Sequence, residues 1–431
     1  MNSRASVCRF HFFQATAGLF FALALGAGSG CNNNSSTPTN ATDLQDLTAS
    51  TLEAEDKFIS PTGLSYEDLT DGWISLFDGE TLFGWTPQSK ADWQVENGVI
   101  TVSSGEPGLL TTNTEFTDFL LSVDFRRHAD ANSGVFVRTP AAVTIEDVTT
   151  TTYEVNIASN DNPFPTGSLV GRQKAQSFIQ SNDWQTLLIG ARQNEIRIML
   201  NGQTILTYED PQPVRRGLIG LQFNQGRTDF REIRIKPVGA DSIFNGENLD
   251  GWKTYPEMAT EFTVTKQGEL NLKNTREGRG QIETTKSFGD FILQVECISH
   301  GYELNSGIFF RCMPGQEMMG YESQIHNGFQ EGDRSRPKDC GTGGIFRRQN
   351  ARRVIPNDHE WFHKTLIAHG NHIAVWVNGY QVTDWIDERD PHENPRKGLR
   401  LEPGSIMIQG HDTTTNLSFR NLSLLELSSS K

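Results

Sequence analysis

The feature that most constrains the fold of this chain is an internal duplication. Four segments of the first half return, in the same order, in the second half. They are SLFDGETLFGW (75–85) with SIFNGENLDGW (242–252), NSGVFVR (132–138) with NSGIFFR (305–311), TYEVNI (152–157) with GYESQI (320–325), and TGSLVG (166–171) with TGGIFR (342–347). Collinear matches of this kind indicate two copies of one structural unit. We therefore predict two tandem domains that meet near Gly239.

The local pattern within each copy is that of β-strands. Segments such as FLLSVDFR, EIRIML, SGIFFR and HIAVWV are short, rich in β-branched and aromatic residues, and separated by Gly, Asn, Asp and Pro turns. No window of useful length shows a helical period. We predict an all-β chain in which each copy is an antiparallel two-sheet sandwich, because strands buried on one face need a facing sheet.

The N-terminus has the pattern of an export signal. Two arginines precede the apolar run FFQATAGLFFALALGAG, which is short for a membrane span and ends at GSGC, whose cysteine is Cys31. We predict a signal peptide over residues 1–30, lipidation of Cys31 as in bacterial lipoproteins, and a polar tether over residues 31–66. The alternative is an ordinary cleaved signal with an incidental cysteine, since Gly28 stands where the lipoprotein motif usually has Leu. The predicted location is the periplasm or the cell surface.

The net charge limits the classes of ligand, and the cysteine count limits the disulfides. The formal net charge is −15 at pH 7 and no Lys/Arg run dominates, which argues against nucleic acid and leaves the predicted lipid as the only membrane contact. A neutral carbohydrate ligand fits better, and no motif indicates an organic cofactor. Cys297, Cys312 and Cys340 allow at most one disulfide among them, with Cys312 to Cys340 as one possible pairing.

The repeated segments carry a specific resemblance. The ordered set FDGETLFGW, NSGVFVR, YEVNI, TGSLVG and LIGLQF, present again in the second half, resembles the family of 3-keto-disaccharide hydrolase domains. The likeness covers residues 67–238 and residues 239–428. It implies a concanavalin-like jelly-roll fold for each domain, and an exported hydrolase that acts on 3-keto glycosides.

Such an activity makes particular chemical demands. The carbonyl of a 3-keto sugar acidifies the C2 proton, so loss of the C1 substituent by elimination, followed by addition of water, gives net hydrolysis. The site needs a general base, a group that stabilises the enolate oxygen, and an acid for the leaving oxygen. Ordinary glycoside hydrolysis instead uses two carboxylates that flank the scissile bond.

The second copy offers candidates for these roles. In YESQIHNG, strand alternation predicts that Glu322, Gln324 and His326 share one face, where we expect Glu322 and His326 to be catalytic and Gln324 to bind substrate. A solvated sheet face is the alternative. Arg311, at the end of NSGIFFR, is expected to reach the same face as a catalytic donor; a surface ion pair is the other interpretation. His411 in IQGHD completes the predicted catalytic set.

Further residues are candidate ligands of the sugar. Gln409 and Asp412 flank His411, and the pair His411 and Asp412 is either an oriented acid or base, or a loop histidine beside a capping aspartate. Arg348 belongs to a run of four arginines in GTGGIFRRQNARR that either grips a charged substituent or is solvated. The sequence leaves open whether a divalent cation binds; its ligands would be Glu322, His326 and His411.

Comparison of the two copies suggests unequal roles. The first copy keeps Glu154 and Arg138, which we predict to bind substrate, but it lacks both histidines. We therefore expect the chemistry in the C-terminal domain, beside an N-terminal domain that is degenerate, ligand-binding or structural. Two alternatives to an enzyme are a non-catalytic carbohydrate-binding protein and an adhesive envelope scaffold.

Overall fold

The computed structural model describes residues 60–141, 148–176 and 181–427. The predicted signal peptide, Cys31 and residues 31–59 of the predicted tether lie outside these described residues. The prediction of an all-β chain with two tandem antiparallel jelly-roll sandwiches is confirmed. No helix within the described residues has the length and apolar character of a membrane span.

The first domain contains two short helices and thirteen strands among its described residues. They are α1 (Tyr66–Thr70), β1 (Ile74–Ser75), β2 (Trp85–Pro87), β3 (Ala91–Glu96), β4 (Val99–Gly105), β5 (Gly108–Thr112), β6 (Phe119–Arg127), β7 (Ser133–Thr139), α2 (Val148–Thr151), β8 (Tyr153–Ile157), β9 (Gln185–Arg192), β10 (Glu195–Leu200), β11 (Gln203–Glu209), β12 (Leu218–Phe223) and β13 (Thr228–Pro237). An eight-stranded sheet runs β11-β10-β9-β6-β13-β4-β3 with β1 paired to β13, and a five-stranded sheet runs β2-β5-β12-β7-β8.

The second domain repeats this arrangement. Its strands are β14 (Asp241–Ser242), β15 (Trp252–Thr254), β16 (Thr260–Val264), β17 (Leu270–Asn274), β18 (Gly280–Thr284), β19 (Phe291–Ser299), β20 (Ser306–Cys312), β21 (Tyr321–Ile325), β22 (Phe329–Gln330), β23 (Asp333–Pro337), β24 (Phe362–His369), β25 (His372–Val377), β26 (Tyr380–Ile386), β27 (Ser405–Gly410) and β28 (Asn416–Glu426). The eight-stranded sheet runs β16-β17-β28-β19-β24-β25-β26 with β14 paired to β28, and the five-stranded sheet runs β15-β18-β27-β20-β21.

The strand period of two builds both cores. Along β6, Phe119, Leu121, Val123 and Phe125 are buried while the residues between them are half-buried. Side chains that alternate in this way give each sheet one apolar face, and the facing sheet covers it. Trp85 and Trp252, which occupy matched positions in the two copies, are both buried in these cores.

The two sandwiches pack together, since the described residues from Ser60 to Leu427 belong to one compact unit. The indole nitrogen of Trp376 donates to the carbonyl oxygen of Ser75 at 2.9 Å, and Arg352 Nη2 lies 2.7 Å from Asp78 Oδ2. Residues 60–66 of the predicted tether also belong to this body, where Leu64 is buried. Cys297, Cys312 and Cys340 are free thiols, each buried.

Candidate functional site

The five-stranded sheet of the second domain presents polar side chains on the face that points away from the core. Strand β20 lies between β21 and β27, and its register pairs Phe309 with both Glu322 and Met407. Two residues along each strand, Gly307 pairs with Gln324, and Gln409 of β27 pairs with Gln281 of β18. Cross-strand neighbours of this kind share a face. The predicted placement of Glu322 and Gln324 on one face is therefore what the register produces.

Glu322 is the most unusual group on this face. Its side chain is buried, with 7 % of the residue exposed, and no described residue donates a hydrogen bond to its carboxylate. Burial raises the pKa of Glu322 to about 7, although the positive charge of Arg396 opposes the rise. A carboxylate that is poorly solvated and titrates near neutrality is suited to take a proton from carbon and return it.

Gly307 makes room for this carboxylate. A Cβ atom at position 307 would lie 2.8 Å from Glu322 Oε1 and 2.9 Å from its Cγ, closer than non-bonded atoms approach. The glycine of NSGIFFR is thus required by the side chain on the neighbouring strand and not by its own backbone. Any larger residue would displace Glu322.

Three amide groups that line the cavity beside Glu322 each have one oxygen without a partner. The buried atoms Gln324 Oε1, Gln409 Oε1 and Asn305 Oδ1 form no hydrogen bond with the described part of the chain, and neither does Gln281 Nε2 on the strand next to Gln409. Buried polar atoms are almost always paired, because an unpaired one costs about 1 to 3 kcal/mol. Unpaired acceptor oxygens beside one carboxylate suit the hydroxyl groups of a sugar, which can donate hydrogen bonds to them.

These residues line a cavity of about 400 Å³. Its walls come from two strands, β21 and β27, and from loops: Arg279, Asn305, Glu317, Met318, Glu322, Gln324, Asp339, Phe346, Arg347, Arg396, Gln409 and His411. Gln324 is fixed by a 3.0 Å hydrogen bond from its Nε2 to Asp339 Oδ2. The cavity therefore brings together four of the predicted residues, namely Glu322, Gln324, Gln409 and His411.

Two other predicted residues lie at the edge of this cavity or beyond it. Asp412 Oδ2 lies 2.8 Å from His411 Nδ1. Burial would raise the pKa of Asp412, but hydrogen bonds from Thr414 and His411 outweigh this effect and hold the pKa below its usual value. Arg348 does not line the Glu322 cavity but lines one that adjoins it.

His326 does not join the cavity. Strand β21 ends at Ile325, and the His326 ring turns back on its own loop, where Nδ1 accepts a hydrogen bond from the backbone of Gly328 at 3.2 Å. The predicted shared face thus stops at Gln324, because alternation holds only while the strand continues. Among the described residues, no three His, Cys, Asp or Glu side chains converge as a metal site, so Glu322, His326 and His411 do not form the ligand set considered above.

Arg311 does not reach the face of Glu322, contrary to the prediction. A bulge interrupts the pairing of β20 with β27 between Phe309 and Cys312, and Arg311 at its centre has a φ of 48°. The bulge reverses the alternation there, so Cys312 and not Arg311 shares the face of Phe309. The Arg311 side chain is fully buried and bonds three carbonyl oxygens, those of Gly289, Gly370 and Arg400, as well as Asp290.

Arg138 repeats this arrangement in the first domain. Its φ is 54°, its guanidinium donates to the carbonyl oxygens of Thr117, Gln193 and Val214, and it pairs with Asp118 at 2.8 Å. The motif NSG followed by an arginine therefore ties strand ends together in both copies. Each guanidinium uses four of its five N–H donors within the protein, and both side chains are fully buried.

The family of the chain follows from its sequence. A sequence model of the 3-keto-alpha-glucoside-1,2-lyase-like domain matches residues 72–236 and again residues 239–425. The chain belongs to this family. Its two matched segments coincide with the two sandwiches, which supports the prediction of tandem copies. No curated protein matches the sequence.

Several solved structures are similar to parts of this chain at low sequence identity. Two candidate glycosyl hydrolases from Parabacteroides distasonis are 17% and 22% identical, with TM-scores of 0.37 and 0.34, and the alignments cover 41% and 44% of this chain and 99% and 100% of theirs. The carbohydrate-binding module CBM66 from Bacillus subtilis is 16% identical with a TM-score of 0.29, over 36% of this chain and 95% of its own.

The first lyase-like domain keeps part of the same arrangement. Phe136 pairs with Glu154, and burial raises the pKa of Glu154 to about 7, although a hydrogen bond from Gln222 opposes the rise. Asn156 stands in place of Gln324, and its amide nitrogen donates a hydrogen bond to the carbonyl oxygen of Phe164. Glu154 is thus the structural counterpart of Glu322, with fewer free polar atoms around it.

Sequence reasoning missed most of the cavity wall. Asn305, Asp339 and Arg396 come from three separate segments, and only the segment of Asn305, NSGIFFR, has a motif. Gln281, with its unpaired Nε2, lies opposite Gln409 on the neighbouring strand, and only the strand register could have indicated it.

Proposed function

We propose that this protein is a glycan-acting enzyme that cleaves 3-keto glycosides by elimination and hydration, with its site in the C-terminal domain. The observation that carries the proposal is the state of Glu322: a buried carboxylate with a pKa near 7, without hydrogen-bond donors, at the wall of a polar cavity. The family match supports the same chemistry, since its domain is described as lyase-like at the 1,2 position of a 3-keto-alpha-glucoside.

The first half of the reaction is an elimination. Glu322 takes the C2 proton, and the electron pair of that bond delocalises onto the 3-keto oxygen as an enolate. Arg396 and Arg279, whose charges act on Glu322 in the same cavity, also stabilise this oxygen. The enolate then re-forms the carbonyl as the bond between C1 and the leaving oxygen breaks, and His411 protonates that oxygen.

The second half adds water to the resulting C1=C2 double bond. His411, now neutral, takes a proton from water as its oxygen bonds to C1, and Glu322 returns its proton to C2. Both groups regain their starting states, and the net change is hydrolysis. Asp412 orients the His411 ring through its 2.8 Å contact with Nδ1 and acts as a positioning residue.

A matched pair of variants tests the proposal. Glu322→Gln keeps the size of the side chain and removes the base, and Glu154→Gln makes the same change in the first domain. Using 3-keto disaccharides and their unoxidised parents, we expect Glu322→Gln to lower turnover of the keto sugars by about a hundredfold or more, and Glu154→Gln to leave it within about twofold. Equal losses in both variants, or cleavage of the parent sugars, would contradict the proposal.

A carbohydrate-binding protein without turnover is the second candidate. The unpaired amide atoms of Gln324, Gln409, Gln281 and Asn305 favour it, because they suit sugar hydroxyls whether or not a bond is broken. Calorimetric titration separates the two functions. Binding of disaccharides by the wild-type protein, with no cleavage of any keto sugar, would support this second function and remove the first.

We propose further that the protein is exported and anchored through a lipid on Cys31, in the periplasm or at the cell surface. The GSGC stretch after the apolar run supports this proposal. Mass spectrometry of the mature N-terminus, with detergent partition of wild type and Cys31→Ala, tests it. A mature chain that carries no lipid and partitions into the aqueous phase would overturn it.

A further inference from the structure

A second cavity adjoins the candidate site and is strongly basic. Its volume is about 260 Å³, and it shares Glu322, Phe346, Arg347 and Arg396 with the cavity described above. Arg348 also lines it, so three guanidinium groups face one carboxylate, Glu322, whose pKa is near 7. The cavity therefore carries positive charge, whereas the chain as a whole has a net charge of −15.

The arginines of this cavity are not used within the protein as ion pairs. None of the described carboxylates lies within 4.0 Å of a nitrogen of Arg347, Arg348 or Arg396. Arg396 Nε donates to the carbonyl oxygen of Met318 at 2.9 Å, and Arg348 Nη2 donates to the carbonyl oxygen of Arg396 at 2.8 Å. These backbone contacts hold two of the side chains in place while their charges stay unneutralised.

Arg347 occupies a backbone position that disfavours it. Its φ is 59°, and the matched residue of the first domain is Gly171 with a φ of 70°. A side chain in this left-handed region costs about 1 to 2 kcal/mol, which glycine avoids. The backbone of Phe346 is fixed beside Glu322, because Phe346 N donates to the Glu322 carbonyl oxygen at 3.0 Å. The chain thus places an arginine next to Glu322 at a conformational cost.

The two domains also use their second matched arginine differently. In the first domain Arg172 lies over the Tyr153 ring at 4.5 Å and 3.8 Å from Asp210. In the second domain the corresponding aspartate, Asp387, is instead held by Arg389 at 2.7 Å. Arg348, the counterpart of Arg172, is thereby released to line the cavity.

From these observations we propose that the Arg347 cavity is a subsite for an anionic oxygen group on the glycan, a carboxylate or a sulfate ester. Planar guanidinium groups bind such groups through paired hydrogen bonds. The inference rests on the proposed function, because it defines the substrate class of the same site. It makes acidic glycans, and not neutral ones, the preferred ligands.

The experiment compares three 3-keto disaccharides that differ only at C6 of one sugar: hydroxymethyl, carboxylate and sulfate. Calorimetric titration of the full chain in a Glu322→Gln background measures binding without turnover. We expect the better of the two anionic probes to bind at least about tenfold more tightly than the neutral one, with a preference that weakens as salt rises. Carboxylate and sulfate affinities then distinguish the two sources of charge.

Arg347→Gln and Arg353→Gln form the matched pair, since each removes one positive charge and only Arg347 lines the cavity. Glutamine is no more strained than arginine at a positive φ. We expect Arg347→Gln to abolish most of the anionic preference and to leave the neutral probe within about twofold, and Arg353→Gln to change neither.

The outcomes separate this inference from the proposed function. Wild-type turnover of neutral and anionic keto sugars at equal efficiency, with equal affinities, would overturn the subsite and leave the proposed function intact. Tight, Arg347-dependent binding of an anionic probe that is never cleaved would support the subsite and remove the proposed reaction. An equal loss of preference in Arg353→Gln, or no binding of any probe, would overturn the subsite.

Discussion

The Nζ atom of Lys364 lies 2.9 Å from the carbonyl oxygen of Ser323, on the core side of the strand that presents Glu322 to the cavity. A second hydrogen bond, of 3.0 Å, reaches the carbonyl oxygen of Gln324. Lys364 is buried in the sandwich, and Leu187 takes its place in the first domain. A lysine beneath the Glu322 strand thus distinguishes the second domain from the first.

Lys364→Leu tests the cost of this buried amine. Burial lowers the pKa of Lys364 to about 7, whereas the unfolded chain keeps it near 10.4. The wild-type free energy of unfolding therefore rises between about pH 7 and pH 10, because the unfolded state binds more protons there. The variant lacks this titration, so its free energy of unfolding should exceed that of wild type by more at pH 7 than at pH 10. We expect this excess to shrink by up to about 4 kcal/mol between the two pH values, as measured by denaturant unfolding. A difference that does not change with pH would contradict this.

Glu322→Gln should show a pH dependence of its own. The pKa of Glu322 is raised from 4.5 to about 7, so its contribution to stability is fully present below about pH 4.5 and is lost as the pH rises through 7. We expect the free energy of unfolding of Glu322→Gln, relative to that of wild type, to rise by up to about 3 kcal/mol between pH 4 and pH 8. Glu154→Gln should follow the same trend in the first domain, as an internal replicate. Parallel stability curves for wild type and Glu322→Gln would sink the prediction.

Gly307→Ala tests the space that Glu322 needs. The added methyl group would lie 2.8 Å from Glu322 Oε1, so we expect the carboxylate to move and turnover of 3-keto disaccharides to fall by about tenfold or more. Gly134→Ala is the matched control, because its methyl group would lie 3.3 Å from Glu154 Oε1 in the first domain. The prediction fails if Gly307→Ala keeps wild-type turnover, or if Gly134→Ala loses as much.

Arg311→Met separates a structural role from a catalytic one. The change removes the guanidinium that donates to three carbonyl oxygens and pairs with Asp290, and we expect a loss of about 3 kcal/mol or more in the free energy of unfolding. Turnover per folded molecule should stay within about twofold of wild type at a temperature where the variant is folded. Arg138→Met should lose similar stability. If Arg311→Met lost turnover but kept its stability, Arg311 would have a role in catalysis and the prediction would be wrong.

The duplication and the strand period carried much of the prediction. Two copies of one pattern predicted two similar sandwiches, and the period of two placed Glu322 beside Gln324 on a single face. Both are local properties, since a strand's own geometry decides which of its side chains point the same way. The same rule failed at Arg311, where a bulge reverses the alternation, and at His326, where the strand has ended.

The sequence by itself therefore determined the class of fold, the repeat, and the face that carries Glu322. Tertiary structure alone decided which groups surround that carboxylate: Gln409 through the pairing of strands far apart in the chain, and Arg347 and Arg396 through loops that meet beside Glu322. It also decided that Glu322 is buried enough for its pKa to approach 7. Local periodicity fixes the direction of a side chain, whereas its solvation and its neighbours depend on how distant segments pack.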